Sequence, residues 1–259
     1  MNRGRFFAVS RRVALFGMLL WAFCAPAAAA EDPRVKAAFD KGWALMGQMH
    51  KDLRHLDEAA DVYRSVLAFD PQNADAWWKL SEVVFKKGEA QKDKKRKKEL
   101  IQEALGYAEK SLALAPRKAE PHYWVAVSCA MLADMAGPLS AMSLVNRCKK
   151  ELNTVITLDP KNRFAILAKA VLAAIYLDSP WPLRDLEKAE ELARKAVAED
   201  PNLTWASVTL GRTLAKRGKK EEAEKELKRC LATSSPTYVW DSVLYDWPSA
   251  RKALKELQK

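Results

Sequence analysis

A proline-centred phrase returns along this chain at nearly regular intervals, and that recurrence constrains the fold more than any other feature. FDPQNADAWW (69–78) comes back as LDPKNRFAIL (158–167) and EDPNLTWASV (199–208), with a looser echo in LAPRKAEPHYW (114–124). Their prolines are Pro71, Pro116, Pro160 and Pro201, followed by Pro236, at separations of 45, 44, 41 and 35 residues. Before the first phrase, Ala59, Val62, Tyr63, Val66 and Leu67 recur at three- and four-residue steps, the stripe of a helix packed on one face. Proline cannot continue such a helix and turns the preceding residue away from helical angles. Asn73 or Ala74 can open the next helix, with Asp75 well placed in its first turn. Each phrase is therefore a helix stop followed by a helix start, and one helical hairpin is being repeated.

The rest of the unit fits the tetratricopeptide pattern. Trp43, Met46, Gly47 and His50 stand at its Trp, Leu, Gly and Tyr positions, and Ala59, Tyr63 and Pro71 at its Ala, Phe and Pro positions. In the last unit Leu210, Gly211 and Leu214, then Ala223 and Leu227, repeat the arrangement, with Pro236 one residue late. The glycine lets the second helix approach and the alanine is the small residue opposite. The spacing predicts an all-α, right-handed solenoid of about five hairpins, at 34–73, 74–118, 119–162, 163–203 and 204–237. A final helix near 246–258 caps its open end through Leu254 and Leu257. The second helices of the third and fourth hairpins are expected to begin near Pro138 and Pro182. No strand pattern of useful length occurs.

Residues 1–30 read as a secretory signal peptide. Arg3, Arg5, Arg11 and Arg12 precede the apolar run Val13–Ala25, and Ala28-Ala29-Ala30 offers a cleavage site. The run is short for a membrane span. Cys24 follows bulky Phe23, a poor lipidation context, so the sequence favours a soluble periplasmic or secreted protein over a lipoprotein. The remaining 31–259 forms the repeat domain, with no further transmembrane segment. Removing four arginines lowers the net charge from +11 to +7, with both signs interspersed as on ordinary helical surfaces. That pattern, with the compartment, argues against a nucleic-acid partner. Cys129, Cys148 and Cys230 are odd in number and irregularly spaced, neither a disulfide framework nor a zinc signature. They read as small buried hydrophobes, with a Cys129–Cys148 bridge left open.

Beyond the generic repeat, AWWKLSEVVFKKGE with the lysine-rich stretch after it, His122-Tyr123-Trp124 and Pro180-Trp181-Pro182-Leu183-Arg184-Asp185 resemble the regulator of microtubule dynamics family. They also resemble its bacterial relatives, the periplasmic T components of TRAP-type transporters. The resemblance covers nearly all of 35–257. It implies a helical scaffold that binds partners and performs no catalysis. For the transporter branch it implies a helper to a periplasmic substrate-binding protein, with room for a homo-oligomer. The poor lipidation context of Cys24 departs from that branch's anchoring, and an export signal does not suit a microtubule role.

Chemistry is sparse. The histidines are His50, His55 and His122, and none has the spacing of a metal or catalytic motif. His50 is expected as a satisfied, partly buried imidazole and His122 as a helix-start contact. No phosphate loop or nucleophile elbow occurs, so no catalytic residue, metal or cofactor is assigned. Trp43 and Trp77 read as core residues of the repeat. The repeat frame directs Trp78, Tyr123 and Trp205 to the inner, concave wall, with Glu82, Arg212, Leu167, Val171 and Ile175. Such walls bind protein partners or small apolar or organic-acid ligands. The competing reading is that Val239, Trp240, Leu244 and Tyr245 fold back and bury the wall. Lys94, Lys95, Arg96 and Lys97 lie in the insertion KKGEAQKDKKRKKEL (86–100). They read as a solvated basic face or as a docking patch for an acidic partner or anionic lipid.

Overall fold

A computed structural model describes residues 32–258; the export-signal expectation for 1–30 lies outside the described residues. From Pro33 onward the chain forms one unit of successive helical hairpins. They pair α1 (Pro33–Met46) with α2 (His55–Phe69), α3 (Ala74–Ala90) with α4 (Lys94–Leu114), and α5 (Ala119–Ala133) with α6 (Pro138–Leu158). Two more pair α7 (Arg163–Asp178) with α8 (Leu186–Glu199) and α9 (Thr204–Lys216) with α10 (Lys220–Leu231). A short helix α11 (Val239–Asp241), a π-helical turn (Ser242–Asp246) and α12 (Trp247–Leu257) follow. The described residues contain no strand.

The recurring phrase works as its residues require. At the first, the Asn73 side chain accepts from the Ala76 amide at 2.9 Å and donates to Asp70 at 2.9 Å, tying the end of α2 to the start of α3. Asn162 accepts from the Phe164 amide in the same way at 2.9 Å. The fourth hairpin differs from expectation: α8 starts at Leu186, four residues after Pro182, because Asp185 supplies the cap by accepting from the Lys188 amide.

Close approach within the last hairpin is as expected. A Cβ on Gly211 would lie 2.6 Å from Leu227 Cγ, with the Ala223 carbonyl oxygen 3.5 Å away. In the first hairpin the register is corrected. Gly42, not Gly47, faces Tyr63, whose ring Cε1 would lie 2.6 Å from an added Cβ. A Cβ on Gly47 would meet nothing nearer than 3.4 Å. The cause is loop length. Residues 47–54 separate α1 from α2, whereas only 217–219 separate α9 from α10. The longer loop moves the contacting glycine about one and a half turns back along α1. Trp43 and Trp77 are also only half-buried: Trp43 meets Trp240 edge-on at 5.3 Å, and Trp77 lies against Tyr107 at 5.6 Å.

The lysine-rich insertion lengthens both helices of the second hairpin, α3 to 17 and α4 to 21 residues. Lys94, Lys95 and Arg96 are exposed and Lys97 half-exposed; Arg96 pairs with Glu99 at 3.1 Å. Lys86, at the start of the insertion, is instead buried. At the far end α12 packs on α9 and α10 through Ala250 and Ala253, with Leu254 and Leu257 partly buried beside them. The three described cysteines are free and buried, so no Cys129–Cys148 bridge forms.

Candidate functional site

The inner wall is built by the first helices of the hairpins. Glu82 and Phe85 on α3, Tyr123 and Val127 on α5, and Leu167 and Val171 on α7 share one direction, because each helix restarts in the same frame after its phrase. Residues 238–246 then run back over this wall. Thr237 bonds Asn202 and Asp200, Tyr238 packs on Trp240 at 5.3 Å, and Trp240 reaches Trp43 in the first hairpin. The groove thus becomes a cavity of about 530 Å³. Its lining runs from buried Glu82 and Tyr123 out to exposed Asp134 and to Asp178 and Pro180 at the mouth.

Two polar clusters fasten this segment. The Lys86 ammonium donates to Asp241 at 2.7 Å and to Glu89 at 2.8 Å. Burial works against the Lys86 charge, but the two carboxylates outweigh it and hold the ammonium well above its ordinary value. Burial also raises Asp241, with Lys86 acting the other way. Thr204 donates to Asp246 at 2.7 Å and lies 2.6 Å from the Ser242 hydroxyl. Burial pushes the Asp246 carboxyl up to about 7, and the Thr204 hydroxyl only partly opposes it.

Of the expected wall residues, Glu82, Tyr123, Leu167, Val171, Ile175 and Trp205 line the cavity. Trp78 and Arg212 do not. Trp78 is 5 % exposed, meets Phe164 edge-on at 5.8 Å and donates its indole N–H to Asp75 at 3.0 Å, so it is core. Arg212 pairs with Asp178 at 2.8 Å, outside the lining. Sequence reasoning missed Asp241 and Asp246 as site residues. Their signal was two acids five apart inside the aromatic stretch TYVWDSVLYDW (237–247).

His122 makes more than a helix-start contact. It is buried, with Nδ1 2.5 Å from Glu151 and Nε2 3.0 Å from the Pro116 carbonyl, so both ring nitrogens face acceptors. His50 departs from expectation: its buried Nδ1 has no hydrogen-bond partner. Burial pushes the Cys148 and Cys230 thiols up to about 12, which makes them poor nucleophiles. Among the described residues no group of acids, histidines and cysteines is placed to hold a metal, and no helix is long and apolar enough to cross a membrane. Trp181, in the loop before α8, is 86 % exposed.

Comparison with known proteins places this geometry. Residues 44–171 match the family of Regulator of microtubule dynamics protein 1-3, and residues 183–237 match the Tetratricopeptide repeat. Regulator of microtubule dynamics protein 1 of Mus musculus is 24 % identical over 182 residues, covering 64 % of this chain. The chain spans 60 % of the length of that relative. Among solved structures, TTC0263, a thermophilic TPR protein of Thermus thermophilus, is similar with a TM-score of 0.62 at 16 % identity, covering 84 % of this chain and 100 % of that one. PilW, described as a widely conserved type IV pilus biogenesis factor, gives 0.53 at 16 % identity, over 86 % and 93 % of the two chains. PilF of Pseudomonas aeruginosa gives 0.52 at 15 %, over 88 % and 93 %. At these identities the structures speak to the fold alone.

Proposed function

Because the chain is a tetratricopeptide-repeat protein of the regulator of microtubule dynamics family, we propose that it is an exported scaffold that holds a protein partner on its inner wall and performs no catalysis. Export rests on the signal-like residues 1–30, with cleavage near Ala30 giving a periplasmic or secreted protein. Tetratricopeptide folds are protein-interaction scaffolds, and one observation carries the site. The wall opens as an aromatic and aliphatic cavity whose mouth, at Pro180, adjoins the exposed Trp181. Large aromatics at such a place are the usual anchors of an interface. A photo-crosslinking residue at Ile175 tests this, expressed in the protein's own compartment. A discrete protein adduct that Val171→Arg abolishes supports the scaffold; adducts unchanged by that substitution refute this wall as the contact.

A second reading has its own support. The cavity volume of about 530 Å³ falls within the roughly 300–1,000 Å³ of small-molecule sites. On that reading the protein carries a small apolar or organic-acid ligand and serves the substrate-binding protein of a TRAP-type transporter. Native mass spectrometry of protein isolated from its own compartment checks it. A retained small molecule supports carriage; a bare polypeptide mass speaks for the protein-partner reading.

A further inference from the structure

Two polar side chains on the cavity wall are left without partners by the fold. Glu82 is 9 % exposed and Tyr123 is 6 % exposed, both line the cavity, and neither makes a hydrogen bond or ion pair among the described residues. A buried carboxylate without a direct partner is expensive, and for Glu82 the loss of water outweighs the pull of Arg163, Lys79 and Lys86 nearby. The fold elsewhere satisfies its buried acids: Glu151 faces His122, Glu190 is held by Lys219, Arg194 and Arg217, and Asp246 accepts from Thr204. Among the buried acids of the described residues Glu82 is the exception, and it lines the cavity of about 530 Å³.

The remaining charges of the lining decide which sign of ligand it suits. The lining holds six acids, at Glu82, Glu89, Asp134, Asp178, Asp241 and Asp246, against two cations, Lys86 and Arg163, and of the acids Asp178 is already paired with Arg212 and Lys216 outside the lining. Lys86 is consumed by Asp241 and Glu89. Arg163 lies over the rings of Trp43 and Phe164, at 5.2 and 4.8 Å, and is exposed at the edge. Arg163, Lys79 and Lys86 lie near enough to favour the ionised Glu82, but burial outweighs them and none makes a direct contact with the carboxylate, so an incoming anion would meet that carboxylate before any lining cation free to pair with it. An incoming cation would find Glu82, the Tyr123 hydroxyl as acceptor, and ring faces. The lining already holds cations in that manner, since the Lys86 ammonium also lies 5.9 Å from the centre of the Tyr245 ring.

We propose that the cavity is a binding site for a hydrophobic organic cation, a small aromatic or aliphatic amine, with Glu82 as its counter-ion. The apolar body lies against Leu167, Val171 and Trp205, and the ammonium sits between the Glu82 carboxylate and the Tyr123 hydroxyl. This rests on the small-ligand reading above and replaces the organic acid by an amine. The burial that raises the Glu82 pKa agrees with it, because a bound cation is what restores the ionised carboxylate.

Isothermal titration of the full chain with tryptamine and with indole-3-propionate, which share a ring and differ in charge, tests the proposal. Tryptamine is expected to bind at least tenfold more tightly, and Glu82→Gln to bring the two within about threefold. The comparison of the two compounds on the unaltered protein needs no variant, so a poorly folding Glu82→Gln leaves it decisive. Tighter binding of indole-3-propionate, or a tryptamine affinity unchanged in a folded Glu82→Gln, overturns the cation assignment while the small-ligand reading stands. No heat from either compound at millimolar concentration overturns both.

Discussion

The placement of the close-approach glycine can be tested by adding one methyl group at three positions. Gly211→Ala would put a Cβ 2.6 Å from Leu227 Cγ, about 1 Å inside ordinary carbon–carbon contact. Leu227 is fully buried and Cγ is a branch point, so relief requires α9 and α10 to separate. Overpacking of this kind costs about 1–3 kcal/mol. Replacing a helical glycine by alanine returns about 0.8–1 kcal/mol of backbone propensity. The balance for Gly211→Ala runs from about zero to a net loss of about 2 kcal/mol. Gly42→Ala meets the Tyr63 ring instead, and Tyr63 is only 2 % exposed and packed edge-on against Phe39 at 6.0 Å, so a similar loss is expected. Gly47→Ala meets only ordinary contacts and lies just past the end of α1, where the substitution chiefly restricts the unfolded chain. It should be neutral or stabilising by up to about 1 kcal/mol. Urea unfolding of the three variants followed by far-UV circular dichroism reads the result. A Gly47→Ala that loses more stability than Gly42→Ala would refute the corrected register and restore Gly47 as the contact.

Trp78→Ala should behave as a core truncation, losing about 3–5 kcal/mol in urea unfolding, because its ring is buried on Phe164; near-full stability would return Trp78 to the open wall. Asp246 gives a pH signature. Its folded-state pKa of about 7 lies above the unfolded value near 4, so the native state holds the extra proton between those limits. Stability should then fall as pH rises from about 4 to about 7, and Asp246→Asn should flatten that slope; identical pH profiles for the two proteins would contradict the assignment. Replacing Lys94, Lys95, Arg96 and Lys97 with Gln should change stability by no more than about 0.5 kcal/mol each, since these side chains are largely solvated. A large drop in melting temperature would show that the α4 start is packed.

Helix boundaries were legible because the signals that set them are local. A proline, an asparagine cap and a three- or four-residue apolar rhythm act within one turn of their own position; the start of α8 was misplaced because its cap is Asp185 rather than the turn at Pro182. The glycine contact was not legible, because it depends on how far the 47–54 loop lets α1 slide along α2. The tetratricopeptide spacing matched Gly47 in number while the geometry chose Gly42. Frame counting from each phrase brought six of eight wall residues to the cavity, since it describes direction around a helix. It failed at Trp78, which a neighbouring hairpin's Phe164 covers, and at Arg212, which Asp178 draws aside.

The return of the C-terminal segment stood in the sequence as one of two alternatives for the wall, but its anchoring, which pairs Asp241 with Lys86 across 155 residues, did not. No periodicity encodes such a pairing. The same return explains why one lysine-rich stretch divides into two environments. Lys94–Lys97 remain in solvent because nothing crosses them, whereas Lys86 is buried because 238–246 brings acids and aromatic rings over it. The two alternatives for the inner wall, an open groove or a filled core, are therefore both realised in part. The segment takes the groove's length and contributes Tyr238, Trp240 and Tyr245 to its lining, leaving a chamber of small-molecule size. A partner or ligand entering that chamber meets a wall made by the second to fifth hairpins together with the C-terminal segment, so binding there and holding that segment in place are coupled. Ligands that contact 238–246 should raise the unfolding temperature of α12 together with that of the hairpins.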